Sequence, residues 1–397
     1  MPLPLIALFL AAFAFGTTEF VIAGVLPQVA DGLGVTIPVA GYLVSGYAIG
    51  IALGGPLLTL ATTNLARRTL LLGLIAAFTI GQVACALAPG FASMLVLRML
   101  IAVAHGSFFG IAMVVAVGLV APERRGFAVA LILSGLTVSN VIGVPLGAAI
   151  GNYFGWRATF WAMGTLGLLA SLAIVLWVPG TPNSGEVRPA LRRQIFVLGR
   201  QQAWTSLFLM LMLMIGQFVP FTYIAPMLQD VTGLDPVWIP WVLLLNGVGS
   251  TLGVFLGGRL ADWKLMPSLI AMLALQAVVL LGLYLVSPYP VPMIAGIFVW
   301  GALNFAIGTP IQTRILSWTA DAPSLASSLI PSGFNIGIAL AAFVGATMLN
   351  AGLGYRSLPL IGAAALLLAV GVAIFSYTWE RRSGGTPPEP VGAVAAE

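Results

Sequence analysis

The sequence predicts an all-α membrane protein, with twelve transmembrane helices in two pseudo-symmetric six-helix bundles. Three observations carry this. The 397 residues are 60% hydrophobic and only 7% charged, with a mean hydropathy of +1.08, whereas soluble domains carry roughly 25% charged residues. Apolar runs of about 20 residues recur, the length a helix needs to cross hydrocarbon; a transmembrane barrel would show shorter, alternating segments. The second half also repeats the first: Gly155-Trp156-Arg157 and Gly354-Tyr355-Arg356 stand half the chain apart, each at the start of an apolar run.

In chain order, the first run covers 5–26. Met1-Pro2-Leu3-Pro4 leads into it with no basic stretch, so it is expected to be a retained span rather than a cleaved signal. Spans 2 (39–62) and 3 (69–88) flank a loop ending in Arg67-Arg68. Span 4 (91–119) carries Arg98 and His105, the only histidine. Span 5 (127–150) holds Gly135, Gly143, Pro145, Gly147 and, just past its end, Gly151; span 6 (157–178) completes the first bundle, residues 1–178. Residues 179–203 read as a central cytoplasmic loop with Arg188, Arg192, Arg193 and Arg200. Spans 7 to 12 follow at 204–228, 236–260, 266–286, 291–318, 324–350 and 357–379, the second bundle being 204–379. Between spans 8 and 9 lies Gly258-Arg259-Leu260-Ala261-Asp262, at the place of the Arg67-Arg68 loop in the first half. Residues 380–397 are rich in Pro and Gly and read as a disordered cytoplasmic tail.

The net charge of +5 resides in short loops, so topology accounts for it and no nucleic-acid partner is expected. Lys and Arg concentrate on the side of the termini, including Arg124, Arg125, Lys264, Arg314, Arg381 and Arg382, against Arg157 and Arg356 on the other side. That asymmetry puts both termini in the cytoplasm. Cys85 is the sole cysteine and cannot form an internal disulfide. No metal cluster, cofactor, nucleotide-binding loop or enzyme chemistry is expected.

Glu19 is the one acid deep inside a span. A carboxylate in hydrocarbon is costly unless paired, hydrated or protonated. Two readings stand: a functional acid, or the cap of a packed polar cluster with Thr17 and Thr18. Counting residues places Glu19 and Arg98 at equal depth, roughly 10–12 Å below the outer boundary, which permits pairing. His105 lies seven residues past Arg98 on nearly the same helix face, either a packing residue or part of a proton relay. Gly143, Gly147 and Gly151 recur every four residues and line one face of span 5, allowing close helix approach, while Pro145 bends the helix. Asn140, Gln217, Asn246, Asn304, Gln312 and Asn335 are further polar residues inside spans; such amides usually join helices.

The run Gly143-Val144-Pro145-Leu146-Gly147 resembles the span 5 antiporter motif of twelve-span drug:proton antiporters of the major facilitator superfamily. Gly16-Thr17-Thr18-Glu19-Phe20 with Leu26-Pro27 resembles their span 1, and Arg98 with His105-Gly106 their span 4. Ala121-Pro122-Glu123-Arg124-Arg125 and Gly155-Trp156-Arg157 fit the same pattern. The similarity covers essentially the whole chain and is greatest to the branch of arabinose-type sugar efflux, purine efflux and chloramphenicol resistance exporters. One motif departs: Thr63 stands where the span 2–3 loop of the family usually has Asp, whereas the second-half copy keeps Asp262.

The resemblance implies the major facilitator fold, with spans 1, 4, 7 and 10 lining a central cavity, in the inner membrane of a bacterium. It implies a proton-coupled exporter of a small lipophilic or cationic compound, as in multidrug efflux. The alternative is export of a polar metabolite such as a sugar or purine nucleoside; a non-transport membrane protein is the remaining class. Glu19, Arg98 and His105 are the expected proton-coupling residues. Thr17, Thr18, Asn140, Gln217, Phe221, Tyr223, Trp300 and Asn304 are the candidate substrate contacts. Gly143, Pro145, Gly147 and Gly151 would seal the halves, and Arg67, Arg68, Gly258, Arg259 and Asp262 would gate them. The expected partners are substrate, protons and the lipid bilayer, with the protein a monomer.

Overall fold

The computed structural model describes residues 3–62, 64–180, 200–320 and 323–383. Thr63, Arg188, Arg192, Arg193 and the tail beyond Ser383 lie outside the described residues. The rest are helices and short turns, with no strand among the described residues. Among the described residues, eleven helices are long and apolar enough to span a bilayer, and the longest, Pro236–Val286, has 51 residues. Its backbone leaves the helical region at Lys264 (φ −153°, ψ 90°), just before Pro267, whose ring cannot continue the hydrogen-bond ladder. The break separates spans 8 and 9, giving twelve spans. Exposed Leu57, Ile80, Leu172, Leu176, Phe255 and Leu285 form part of the apolar exterior.

The packing repeats between halves. Spans 1 and 5, 1 and 6, 2 and 4, and 3 and 6 pack in the first half; spans 7 and 11, 7 and 12, 8 and 10, and 9 and 12 do so in the second. Across the halves, span 2 lies along span 11 and span 5 along span 8. The repeated tripeptides do the same job twice. Arg157 stacks on Trp156 and donates to the Ala88 carbonyl at the end of span 3; Arg356 stacks on Tyr284 and donates to its carbonyl in span 9. Gly34, Gly155, Gly233 and Gly352 all have positive φ and follow spans 1, 5, 7 and 11, where the chain must turn in a conformation that side chains disfavour.

The sequence leads to the expectation that the glycine face of span 5 seals the halves; in the structure these glycines face span 1 of their own bundle. A Cβ at Gly143 would meet Thr17, one at Gly147 would meet Val21, and one at Gly151 would meet Val25. Both helices present every fourth residue, so a ridge on span 1 fills the groove on span 5. A neighbouring surface of span 5 meets the other half instead: the backbone at Asn140 and Val141 lies against Gly247 of span 8. Gly147→Leu is therefore expected to insert but lose transport, because the added side chain displaces Val21, two residues from Glu19. Substrate transport measured at matched membrane abundance tests this; wild-type transport would show that the face tolerates bulk and that span 1 is not held there.

Spans 2 and 5 each widen into a π-turn, at Gly50–Gly54 and Ser139–Gly143, just before Pro56 and Pro145. Pro56 has no N–H for the Ala52 carbonyl, and Ser332 of span 11 donates its hydroxyl there at 3.1 Å. Further outward, Ser45 donates to the Ala339 carbonyl at 2.9 Å, and Phe20 stacks on Phe218 with ring centroids 5.6 Å apart. Gln28 donates to Asn152 at 2.5 Å, and Asn152 to the Pro236 carbonyl at 2.8 Å. The halves thus meet toward the face opposite the termini.

The C-terminal boundary also differs from expectation. The last helix runs Leu358–Ser383, so residues 380–383 belong to span 12, not to a tail. The reason is Arg314, a buried residue of span 10 rather than a loop charge. It pairs with Glu380 and donates to Ser376 and Ser206 at 2.8 and 2.9 Å.

Candidate functional site

Glu19 is 8% exposed, on a span otherwise buried around it. Its Oε2 lies 3.8 Å from Nε2 of His105. On the other side of the imidazole, Nδ1 is 3.0 Å from the Tyr47 hydroxyl of span 2. Phe15, Tyr47 and Phe109 enclose the ring, with centroids 5.2, 5.8 and 5.4 Å away.

Arg98 does not pair with Glu19, although their depths match. Its guanidinium lies over the Tyr47 ring, 4.6 Å from the centroid. Nε donates to the Leu43 carbonyl at 3.4 Å and Nη2 to the Thr18 carbonyl at 3.5 Å. Among the described residues, no carboxylate comes within ion-pair distance of it. The cause is the lean of helical side chains toward their own N-terminus. Spans 1 and 4 are antiparallel, so Glu19 leans toward the terminal face and Arg98 away from it. Glu19 therefore meets the residue two turns further along span 4.

A carboxylate and an imidazole 3.8 Å apart form an ion pair when the ring is protonated, but exceed hydrogen-bond length. A small closure or one bridging water would let a proton pass between them. Glu19 also borders a crevice of about 10 Å³ lined by Phe20, Val44, Phe218, Phe221 and Thr222, room for about one water. These residues come from spans 1, 2 and 7, so the crevice lies where the bundles meet.

The candidate substrate contacts divide. Thr17 bonds the Phe13 carbonyl of its own helix at 2.8 Å and packs on Gly143. Thr18 accepts from Gln82 of span 3 at 3.0 Å. Tyr223 donates to the Ala342 carbonyl at 3.0 Å and lies against Gly41. Asn140 donates to the Leu136 carbonyl of its own helix at 3.1 Å. Thr18 and Tyr223 thus bond across helices, whereas Thr17 and Asn140 bond within their own. Gln217, Trp300 and Asn304 behave differently. All are buried, and Gln217 Oε1, Trp300 Nε1 and Asn304 Oδ1 have no hydrogen-bond partner, nor has Asn335 Oδ1 of span 11. Phe221 meets Trp300 edge-to-face at 6.2 Å. Gln217 and Asn304 each lie one turn toward the terminal face from that pair, on antiparallel spans. An unpaired polar group in such surroundings costs about 1–3 kcal/mol, so this set is suited to a ligand that carries a few hydrogen-bonding groups.

Of the gating candidates, Arg68 donates to the Val175 carbonyl of span 6 at 2.7 Å, and Arg67 is half-buried beside it. Gly258 faces open space, and Arg259 and Asp262 are exposed at the break between spans 8 and 9. Sequence reasoning missed Tyr47 and Gln82. Each is a polar atom in the middle of a span that must find a partner, which is the signal they offered.

The family model described as Major Facilitator Superfamily matches residues 8–322. The chain belongs to the major facilitator superfamily. It is 38% identical over 373 residues to the inner membrane transport protein YdhP of Escherichia coli strain K12, covering 94% of this chain and 95% of that one. It is 36% identical over 376 residues to a chloramphenicol resistance protein of Streptomyces lividans, covering 94% and 95%. The fold is similar to the crystal structure of a bacterial homologue of the human lysosomal transporter Spinster, in an inward-facing and occupied conformation. There the TM-score is 0.77 at 16% identity, covering 94% of this chain and 96% of that one. This major facilitator protein is thus a multi-pass membrane transporter. Glu19 stands where spans 1, 2 and 7 border the crevice.

Proposed function

We propose that this transporter is a proton-coupled exporter of a small lipophilic or cationic compound in the cytoplasmic membrane. The observation that carries the reading is the buried Glu19–His105 pair on the crevice between bundles. An intramembrane acid beside a titratable partner is the usual equipment of a proton path. The Lys and Arg distribution supports cytoplasmic termini. The contacts between halves then close the outer side, and substrate would enter from the cytoplasm or inner leaflet.

In this cycle Glu19 takes a proton when the cavity opens outward and gives it up inside. Phe218 and Phe221 line the crevice with Glu19, and Gln217, Trp300 and Asn304 supply polar groups from the second half. Substrate and proton would therefore compete for adjoining space, and rocking of the halves would alternate access. A mostly aromatic wall with few amides suits lipophilic compounds better than polyols. The relative named as a chloramphenicol resistance protein supports drug-like cargo. The test is transport by the purified protein in sealed vesicles. An imposed pH gradient should drive uphill movement of ethidium or chloramphenicol, and collapse of the gradient should stop it. Uphill movement that ignores the gradient would rule out proton coupling, and movement of neither compound would rule out this cargo class.

A further inference from the structure

Tyr47 holds the answer to a question the Glu19–His105 pair leaves open: which imidazole nitrogen carries the hydrogen when the ring is neutral. We infer that the Tyr47 hydroxyl is a positioning residue that donates to His105 Nδ1, holding the neutral ring with its hydrogen on Nε2, toward Glu19.

The geometry permits two arrangements. In one, the phenol donates to Nδ1, and Nε2–H points at the carboxylate. In the other, Nδ1–H donates to the phenol oxygen, and the Nε2 lone pair faces Glu19. The second leaves a buried O–H without an acceptor, because the structure gives the Tyr47 hydroxyl no other hydrogen-bond partner than His105. A buried donor without an acceptor carries the full desolvation penalty. Whenever Glu19 is ionised, the second arrangement also sets a lone pair against the carboxylate. The first arrangement satisfies the phenol and Nδ1 and points Nε2–H at the carboxylate, within reach of it through one bridging water or a small closure. Arg98, stacked on the phenol ring, draws electron density from it and makes its O–H a better donor.

Distance decides which neighbour controls the ring. Tyr47 lies 3.0 Å from Nδ1, within hydrogen-bond range, whereas Glu19 lies 3.8 Å from Nε2, outside it. Arg98, Glu19 and Cys85 are the ionisable groups around Tyr47 besides His105. None of those three is hydrogen-bonded to Nδ1. The orientation matters chemically. With Nδ1 held by the phenol, the neutral ring presents Nε2–H as a hydrogen-bond donor toward the carboxylate; only the doubly protonated ring has a proton to give up to Glu19. Without the phenol, the ring would divide between two forms, and only one presents a hydrogen to the carboxylate. The consequence for coupling rests on the proton-carrying reading of Glu19 above; the tautomer itself does not.

His105 is the only histidine, so ring-labelled histidine gives one imidazole signal set in the full-length protein, purified without a histidine tag. In nitrogen NMR above the pH of ring protonation, wild type should show hydrogen on Nε2 and a bare Nδ1. Tyr47→Phe keeps the ring under Arg98 and removes only the hydroxyl. It should lower the ratio of the Nε2–H form to the other by roughly five- to tenfold, the worth of one buried hydrogen bond. Hydrogen on Nδ1 in wild type, or an unchanged ratio in Tyr47→Phe, would overturn the inference. The Glu19→Gln proton measurement below addresses the coupling reading separately. Failure there would leave a tautomer shift intact, and an unchanged tautomer would leave the coupling result intact.

Discussion

Glu19→Gln should reduce pH-gradient-driven efflux to background while exchange of substrate across the membrane remains measurable. Glutamine keeps the size of the side chain and a hydrogen-bonding head but cannot release a proton. Glu19 is 8% exposed and faces His105 at 3.8 Å, so the substitution removes an ionisable group without opening a cavity. The halves should still rock, because the contacts between spans 2 and 11 and between spans 5 and 8 do not involve this residue. Uphill efflux and counterflow exchange, measured in the same vesicles, separate the two effects. Loss of both would assign Glu19 to substrate binding or structure rather than to coupling.

The second large effect concerns stability. Arg314 is 2% exposed and Glu380 15%, and the pair links spans 10 and 12 with Ser206 of span 7. Arg314→Met removes the guanidinium from a nearly buried carboxylate. Breaking one side of such a pair costs roughly 3–5 kcal/mol. The thermal midpoint in detergent should fall by about 5–10 °C. The double variant Arg314→Met with Glu380→Met should recover most of that loss, since replacing both charges by apolar groups is often near neutral. Equal midpoints for the single and double variants would mean that the pair is not coupled.

Much of this architecture was legible from sequence because membrane physics constrains it. Span length, basic loops and the Gly155 and Gly354 tripeptides each report something that hydrocarbon or symmetry enforces. Glu19 was legible for the same reason, as the single acid deep inside a span. What failed was direction. Residue counting put Arg98 level with Glu19, but depth of the backbone says nothing of lean, and antiparallel helices lean apart. The four-residue spacing of Gly143, Gly147 and Gly151 defined a face of span 5, yet periodicity does not name the neighbour, which is span 1. Glu380 looked like tail because Glu380-Arg381-Arg382 is polar, while its partner lies 66 residues earlier. Tyr47 was overlooked because a tyrosine in an apolar span reads as packing until its hydroxyl is seen to have a partner.

The central claim is that Glu19 carries the transported proton. Its most direct test is proton release from purified protein in weakly buffered detergent solution on adding ethidium or chloramphenicol. The account predicts release from wild type and none from Glu19→Gln at the same degree of binding. Release of equal size from both proteins would contradict it and place the carrier elsewhere, with His105 the next residue to replace.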